Sequence, residues 1–499
     1  MSYVSIINNE TIPLTNIPEL PYDLFLEQNV FTLMAASSSH CVNYYGFPHG
    51  NKIKLICCIA NDDQHLIHLS CSTVEPGVAL SSFSKHRLAF EKFEREIHEN
   101  FGIKYLDHPW LKPVRFPFNR FDRSLAIGSY PFFKIESEEL HEVGVGPIHA
   151  GIIEPGHFRF ICNGEQVLHL EIQLGYQHRG IEALFLEKQK LQQRITLAEN
   201  IAGDSVAGHS IAFVNLWESL CDFHPSRDLQ MARTLALELE RIAVHTGDLS
   251  ALCTDVAYQL GSAVYGRLRT PVINYFQKWC GNRLAKSLIR AGRNNFPVTW
   301  DLADDLTKLL MDFEKDFEEM SHELFSLPSA LARFEKTGVI NHEQAMTLGT
   351  VGISARMSGV QRDIRSSHPH DLYPGLQHQP VLRSNGDVHA RARIRKKEIN
   401  QSIDYIRELI QGLVINFSKP FNLPNPNPDS FTISLVEGWR GEICHSAITG
   451  SYGELLHYKI KDPSFHNWLA LAIAVRNNEI SDFPVCNKSF DLSYCGHDL

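Results

Sequence analysis

Hydrophobic positions change period along the chain, and each change marks a different element. Residues 53–60 (IKLICCIA) and 65–71 (HLIHLSC) are short apolar runs flanking the polar, turn-like NDDQ, which predicts a strand pair. From Lys85 the spacing lengthens to three and four, through Phe90, Phe93, Ile97 and Phe101, with Glu94, Arg95, Glu96 and Glu99 between them. That is an amphipathic helix, closed by Gly102. Strands followed by a packed helix predict a small α/β unit, and the Pro-bearing HPWLKPVRFPFNR (108–120) reads as its extended exit.

Alternation returns between about Gly144 and His178, where FRFICNGEQVLHLEIQL holds a hairpin signal at Asn163-Gly164. Beyond it the period is helical. Met231, Leu235, Leu239 and Ile242 form one stripe, Leu306, Leu310, Phe313, Phe317 and Met320 a second, and Ile399, Ile403, Ile406, Ile410 and Leu413 a third. The cluster KPFNLPNPNPDS (419–430) is loop, and strand-like segments follow near 442–448 and 455–460. The pattern predicts an α+β chain: a small α/β unit, then a mainly α-helical bundle with a β appendage.

At 499 residues, two or three domains are the natural prior. The 47 Lys and Arg against 57 Asp and Glu leave a net charge of −10, which argues against general nucleic-acid binding. Eleven Cys are scattered without a CxxC, as expected of isolated core thiols in a reducing cytoplasm. The opening MSYVSIINNETIPLTNIPEL lacks the features of a secretory signal, and apolar stretches such as 53–60 and 468–475 are too short to cross a membrane.

Several polar clusters have competing readings. Ser367-His368-Pro369-His370, with His378 nearby, contains possible zinc ligands, but the spacing matches no common closed site. Glu437, Arg440 and Glu442 read as a solvated strand end in preference to a buried charge constellation. The acidic face of 304–323 is solvated surface. In Gly146-Pro-Ile-His149 and Glu154-Pro-Gly-His157, two histidines sit beside glycines that allow close approach of backbone, and each is either structural or functional.

Ordered motifs then carry a resemblance. FEREIHENFGI (93–103), His108-Pro109 and PVRF (113–116) resemble the end of the 30 kDa-type subunit of respiratory complex I. GPIHAGIIEPGHFRF (146–160), LGYQHRGIE (174–182), LELERIAVHTGDL (237–249), SGVQRDIRSSHP (358–369) and RGEICHSAITG (440–450) resemble the 49 kDa-type subunit, homologous to nickel-iron hydrogenase large subunits. The fused order resembles that of energy-converting, membrane-associated hydrogenases of the formate hydrogenlyase and hydrogenase-4 type. The resemblance implies a 30 kDa-like domain over 1–125, a linker over 126–143 and a 49 kDa-like domain over 144–499. The first 50 or so residues match nothing recognisable.

Those hydrogenases hold nickel and iron through four Cys thiolates, in a Cys-Gly-x-Cys and an Asp-Pro-Cys-x-x-Cys segment. The matching positions here carry Ala202 and Ser205, then Ser464 and Asn467, so the resemblance implies a lost nickel site and no metal. The complex I relatives bind quinone near a His and a Tyr. His157, or less readily His149, matches the first, and Gly203 stands at the second, with Asp204 beside it as a possible proton relay. Arg179 fits either a fixed cation stabilising a reduced acceptor or a salt bridge to Glu182 or Glu437.

The implied protein is a subunit of a membrane-associated redox complex, peripheral on the cytoplasmic face of the cell membrane. Its partners would be an iron-sulfur small subunit that holds the clusters and antiporter-like membrane subunits, with quinone as a possible acceptor and no cofactor in this chain. The alternative is a non-catalytic scaffold holding the cluster subunit on the membrane arm.

Overall fold

The computed structural model describes residues 2–151, 153–413 and 422–499. Thirteen strands form four sheets among them: β1 (Val4–Ile6), β2 (Thr11–Pro13), β3 (Ser39–His49), β4 (Lys52–Asn61), β5 (Leu66–Val74), β6 (Ala79–Ser81), β7 (Lys104–Leu106), β8 (His141–Val145), β9 (His157–Asn163), β10 (Gln166–Gln173), β11 (Ser430–Glu437), β12 (Glu442–Thr449) and β13 (Leu455–Lys461). The larger sheets run β1-β5-β4-β3, β10-β9-β8 and β13-β12-β11-β2, and β6 pairs with β7. The apolar runs at 53–60 and 65–71 are the antiparallel pair β4 and β5, and Asn163-Gly164 turns β9 into β10 with Gly164 at φ 57°. Of the loop segment 419–430, residues 419–421 lie outside the described residues, and 422–429 carry no helix or strand.

The first 50 residues, opaque in sequence, belong to two sheets at once. β1 pairs with β5, while β2 adds an edge to β11. β8 starts at His141, within the stretch read as linker. The amphipathic segment is helix α1 (Glu91–Phe101), and Gly102 ends it in the left-handed region at φ 73°. Its charged side chains are not solvated: Glu94, Arg95, Glu96 and Glu99 are all buried.

The helical half is built from α2 (Val206–Leu220), α3 (Arg227–Asp255), α4 (Gln259–Cys280), α5 (Trp300–Leu324) and α6 (Val388–Gln411), with α7 (Pro463–Ala474) and the short α8 (Tyr494–Asp498) closing the fold. The first two predicted stripes are buried on α3 and α5; in the third, Ile410 is only partly covered. Each turn of these stripes removes a large aliphatic or aromatic side chain from water, worth about 1.5–3 kcal/mol apiece.

The motif residues of the helical half converge inside. On α3, Glu238, Arg241 and His245 recur on one face and meet Arg356, Arg365 and Glu398 in a fully buried network. Glu398 accepts from Arg356 at 2.6 Å, Arg365 at 3.0 Å and His245 at 2.8 Å. Buried charges survive only when paired and hydrogen-bonded, and here each is. A second buried charge cluster sits between β3, β4 and β12: His40 Nε2 donates to Glu442 at 2.7 Å, Asp62 lies 3.4 Å from His40 Nδ1, and Lys461 closes on Glu442. All eleven Cys are buried and free.

Candidate functional site

The loop 199–205 and the C-terminal segment 491–499 meet through two arginines. Arg440 lies on the β11–β12 turn, made tight by Gly438 and Gly441. Its guanidinium donates to both Asp204 carboxylate oxygens, at 2.7 and 2.5 Å, and to the Asp491 carbonyl, and it stacks 3.9 Å over Trp439. Trp439 Nε1 donates to the Asp204 carbonyl at 2.8 Å, so backbone and carboxylate of that residue are both fixed. The solvated reading of Glu437, Arg440 and Glu442 is overturned: all three are buried, and Glu437 pairs with Arg356 at 2.7 Å.

Arg179 is exposed and forms neither salt bridge considered in sequence. It donates to the carbonyls of Asn200 at 2.6 Å, Ile201 at 2.8 Å and Cys495 at 3.4 Å, bracing the loop against the C-terminal segment. Glu182 is taken by Lys459 at 3.1 Å and the Ile460 amide, and Glu437 by Arg356. Gly203 is exposed, and a Cβ there would meet nothing within 4 Å.

The structure separates the two histidines of the β turn. Successive side chains of a strand face opposite sides. His157, at the start of β9, lies 5.0 Å from Phe132 with its Nε2 without a hydrogen-bond partner among the described residues, in a cleft it shares with Arg159, Glu142 and Tyr176. His149 stacks edge-on at 5.4 Å against Phe158 on the other side, and its Nε2 is 3.5 Å from the Tyr494 hydroxyl. Burial lowers both histidines below their ordinary value, with Arg159 adding to the effect at His157, and burial raises Tyr494. A neutral imidazole therefore faces a protonated phenol.

Tyr494 has space because position 156 is Gly: a Cβ there would lie 2.6 Å from the Tyr494 ring. Beside it, the Cys495 amide donates to Glu154 at 3.1 Å, and the Cys495 thiol, pushed up to about 11 by burial, also feels Asp204. His149, Glu154, Asp204, Arg440, Tyr494 and Cys495 thus share one neighbourhood.

The residues matched to the second ligand segment are committed to backbone contacts, and Ser464 reaches the site only through Ser493. Asn467 is committed to both backbone groups of Val351, at 3.1 Å each, and Ser464 Oγ accepts from the Ser493 amide at 2.9 Å. The segment joined to Asp204 is Asp491-Leu-Ser-Tyr-Cys-Gly496. It has the same Asp-x-small-x-x-small frame, and that frame was the signal in the sequence for Tyr494 and Cys495. Ala202 is buried, and Ser205 accepts from Arg440 at 3.3 Å.

Behind this site runs a buried hydrogen-bonded chain that sequence reasoning did not find. The Tyr458 hydroxyl meets His445 Nδ1 at 2.7 Å, His445 Nε2 meets His209 Nδ1 at 3.0 Å, and His209 Nε2 meets Asp462 Oδ2 at 3.1 Å. Asp462 accepts at the carboxylate end, so His209 donates from Nε2. Burial, reinforced by His209, holds His445 well below its ordinary value.

Three His of the segment 367–378 go to separate partners: His368 faces Asp62 at 3.6 Å, His370 bonds Asp371 at 2.7 Å, and His378 bonds Asp363 at 2.9 Å. Among the described residues, no group of three or more His, Cys, Asp or Glu side chains is placed to hold a metal ion, and no helix is long and apolar enough to cross a membrane.

Residues 261–424 match the family of the respiratory-chain NADH dehydrogenase 49 Kd subunit. The chain is 24% identical to hydrogenase-4 component G of Escherichia coli over 73% of its own length and 63% of that protein's, so it spans less than two thirds of this relative. It is 27% identical to the membrane-bound hydrogenase subunit alpha of Pyrococcus furiosus, over 70% and 85% of the two chains. Against the fused NADH-quinone oxidoreductase C/D protein of Phocaeicola vulgatus it is 26% identical, over 80% and 82%. Residues 261–424 thus resemble the complex I 49 kDa domain, and the chain is similar to hydrogenase-4 component G, formate hydrogenlyase subunit 5 and the NADH-quinone oxidoreductase C/D fusions.

Proposed function

We propose that this chain is the large subunit of a membrane-associated, respiratory-type redox complex, passing electrons from iron-sulfur clusters of a small partner subunit to a quinone-like acceptor. The observation that carries the reading is the Tyr494 hydroxyl 3.5 Å from His149 Nε2. Quinone reduction needs two electrons and two protons, and a buried, protonated Tyr beside a neutral imidazole supplies a donor poised for the acceptor oxygen. Gly203 has no proton to give; Tyr494, from the other end of the chain, takes that part. Asp204 is clamped by Arg440 and serves to position the loop.

Nickel chemistry does not fit these residues. A dinuclear nickel-iron centre calls for soft thiolates. The loop offers Ala202 and Ser205, the C-terminal frame offers Ser493 and Gly496, and Cys495 is a buried thiol with its protonated form favoured.

Ile148 (85% exposed) and Ile153 (52% exposed) are large apolar side chains in the stretch that carries His149, and Gly203 and Arg179 are exposed as well. A partner covering this face would exclude water from the acceptor, and we assign it to the cluster subunit. Antiporter-like subunits and a position on the inner face of the membrane complete the reading. A scaffold role has one observation in its favour: the Asp204–Arg440 pair fills the ancestral ligand region with a structural contact.

The test is quinone reduction in membranes carrying Tyr494→Phe or His149→Ala, with assembly followed on native gels. With the complex intact, either change is expected to lower the rate about a hundredfold. Rates within about twofold of the wild type, with assembly intact, would leave the scaffold reading standing.

A further inference from the structure

A cavity of about 260 Å³ lies where α1, the exit segment after it, β10 and α7 come together. It backs onto the acceptor region through Trp468, whose ring packs 4.9 Å from Tyr494, but His149, Asp204, Arg440 and Tyr494 do not line it. Its walls are mainly apolar, with Trp110, Tyr130, Ile172 and Trp468 among them. Ligand sites favour such junctions between parts of a fold.

The charges in this cavity do not cancel. Arg95 is satisfied by Glu91 at 3.2 Å and by the carbonyls of Lys112 and Pro113, at 2.8 and 2.9 Å. Lys112 is paired with Glu171. Two cations remain. Lys92 makes no hydrogen bond or ion pair among the described residues, and its ammonium lies 5.8 Å from the Phe465 ring centre. Arg476, exposed at the rim, donates to His169 Nδ1 at 3.2 Å and meets no carboxylate among the described residues. Lys92 is half-buried, and burial lowers it to about 7, with Arg95 and Arg115 adding to the effect and Glu91 and Asp498 opposing it only in part. Leaving such a group unpaired is costly, and a bound anion removes the cost.

We propose that this cavity binds an amphipathic carboxylate, its anionic group on Lys92 with Arg476 at the entrance and its apolar body against Trp110, Tyr130 and Trp468. The site joins the α/β unit to the helical half, so its ligand fastens the two together. The assignment is independent of the acceptor reading.

The test uses the purified full chain and decanoate as probe, with decanol and acetate as the neutral and tail-less counterparts. Decanoate is expected to raise the melting temperature in a saturable way, and the two counterparts to leave it unchanged at the same concentrations. Lys92→Met is expected to raise the melting temperature of the ligand-free protein while weakening decanoate at least about tenfold in calorimetry. Arg476→Gln should weaken it less. No decanoate shift, equal shifts with decanol, an unchanged affinity in Lys92→Met, or Lys92-dependent binding of phosphatidylglycerol vesicles without decanoate binding would each overturn the proposal.

Discussion

Arg440 grips Asp204 through two parallel hydrogen bonds while its third nitrogen holds the Asp491 carbonyl, so one guanidinium ties the loop 199–205 to the C-terminal segment. Lysine reaches one of these groups but lacks the planar fork. Arg440→Lys is therefore expected to cost about 2 kcal/mol in denaturant unfolding. Asp204 has 41% of its side chain exposed, so water takes over part of what it loses, and Asp204→Asn should cost no more than about 1 kcal/mol. A larger loss for Asp204→Asn than for Arg440→Lys would reverse this account of which partner matters.

Two glycines near the site should behave oppositely. At Gly203 a side chain would enter open space and φ is unremarkable, so Gly203→Tyr should change stability by less than about 0.5 kcal/mol. At Gly156 a Cβ would stand 2.6 Å from the Tyr494 ring. Gly156→Ala must displace that ring, and is expected to depress quinone reduction as Tyr494→Phe does while the complex still assembles. Full activity in Gly156→Ala would show that the ring position is unimportant.

The network around Glu398 makes a sharper stability prediction. Three donors, from Arg356, Arg365 and His245, converge on one carboxylate that is fully buried. Burial alone would raise its pKa, but the Arg356 and Arg365 charges and the His245 hydrogen bond outweigh it and hold it well below the ordinary carboxylate range. Glu398→Ala leaves Arg356 to Glu437 and Arg365 to Asp363, at 2.7 Å each, and takes from His245 its carboxylate partner; the loss of one carboxylate from this buried cluster should cost about 3 kcal/mol, which expression yield and thermal unfolding will register.

These elements also show what the sequence made legible. Period and turn residues sufficed for the β4–β5 pair, the β9–β10 hairpin, α1 with its Gly102 cap, and the buried stripes of α3 and α5, because each depends on residues close in the chain. The strand β2 was not legible: three residues gain their meaning from pairing with β11, more than 400 positions away. Charge was misleading for the same reason. Glu96 on α1 looks solvated in a helical wheel, yet it is buried against Arg115 and Lys459, partners from two distant segments. At the site, Gly203 suggested a missing phenol. Periodicity could not show that Tyr494 arrives from the C-terminal segment, or that consecutive residues of β9 put His157 and Phe158, with His149, on opposite sides.

The seam between β3 and β12 should leave a signature in pH. Burial lowers the His40 pKa, but Asp62 and Glu442 outweigh it and raise the group above its ordinary 6.5, so its contribution is complete below pH 6.5 and is lost as pH climbs through the folded value. Glu442 is shifted the other way: burial raises it, while Lys461 and His40 bring it well below 4.5, so its contribution is complete above pH 4.5 and is lost on acidification. The pair is thus strongest between about pH 4.5 and 6.5. Comparing the wild type with His40→Gln by urea unfolding, the stability difference is expected to be larger at pH 5.5 than at pH 8.5. Glutamine can keep one hydrogen bond to Glu442 but carries no charge at either pH, so a difference that stays constant, or grows with pH, would mean that His40 is held as a neutral ring and that Lys461 alone balances Glu442.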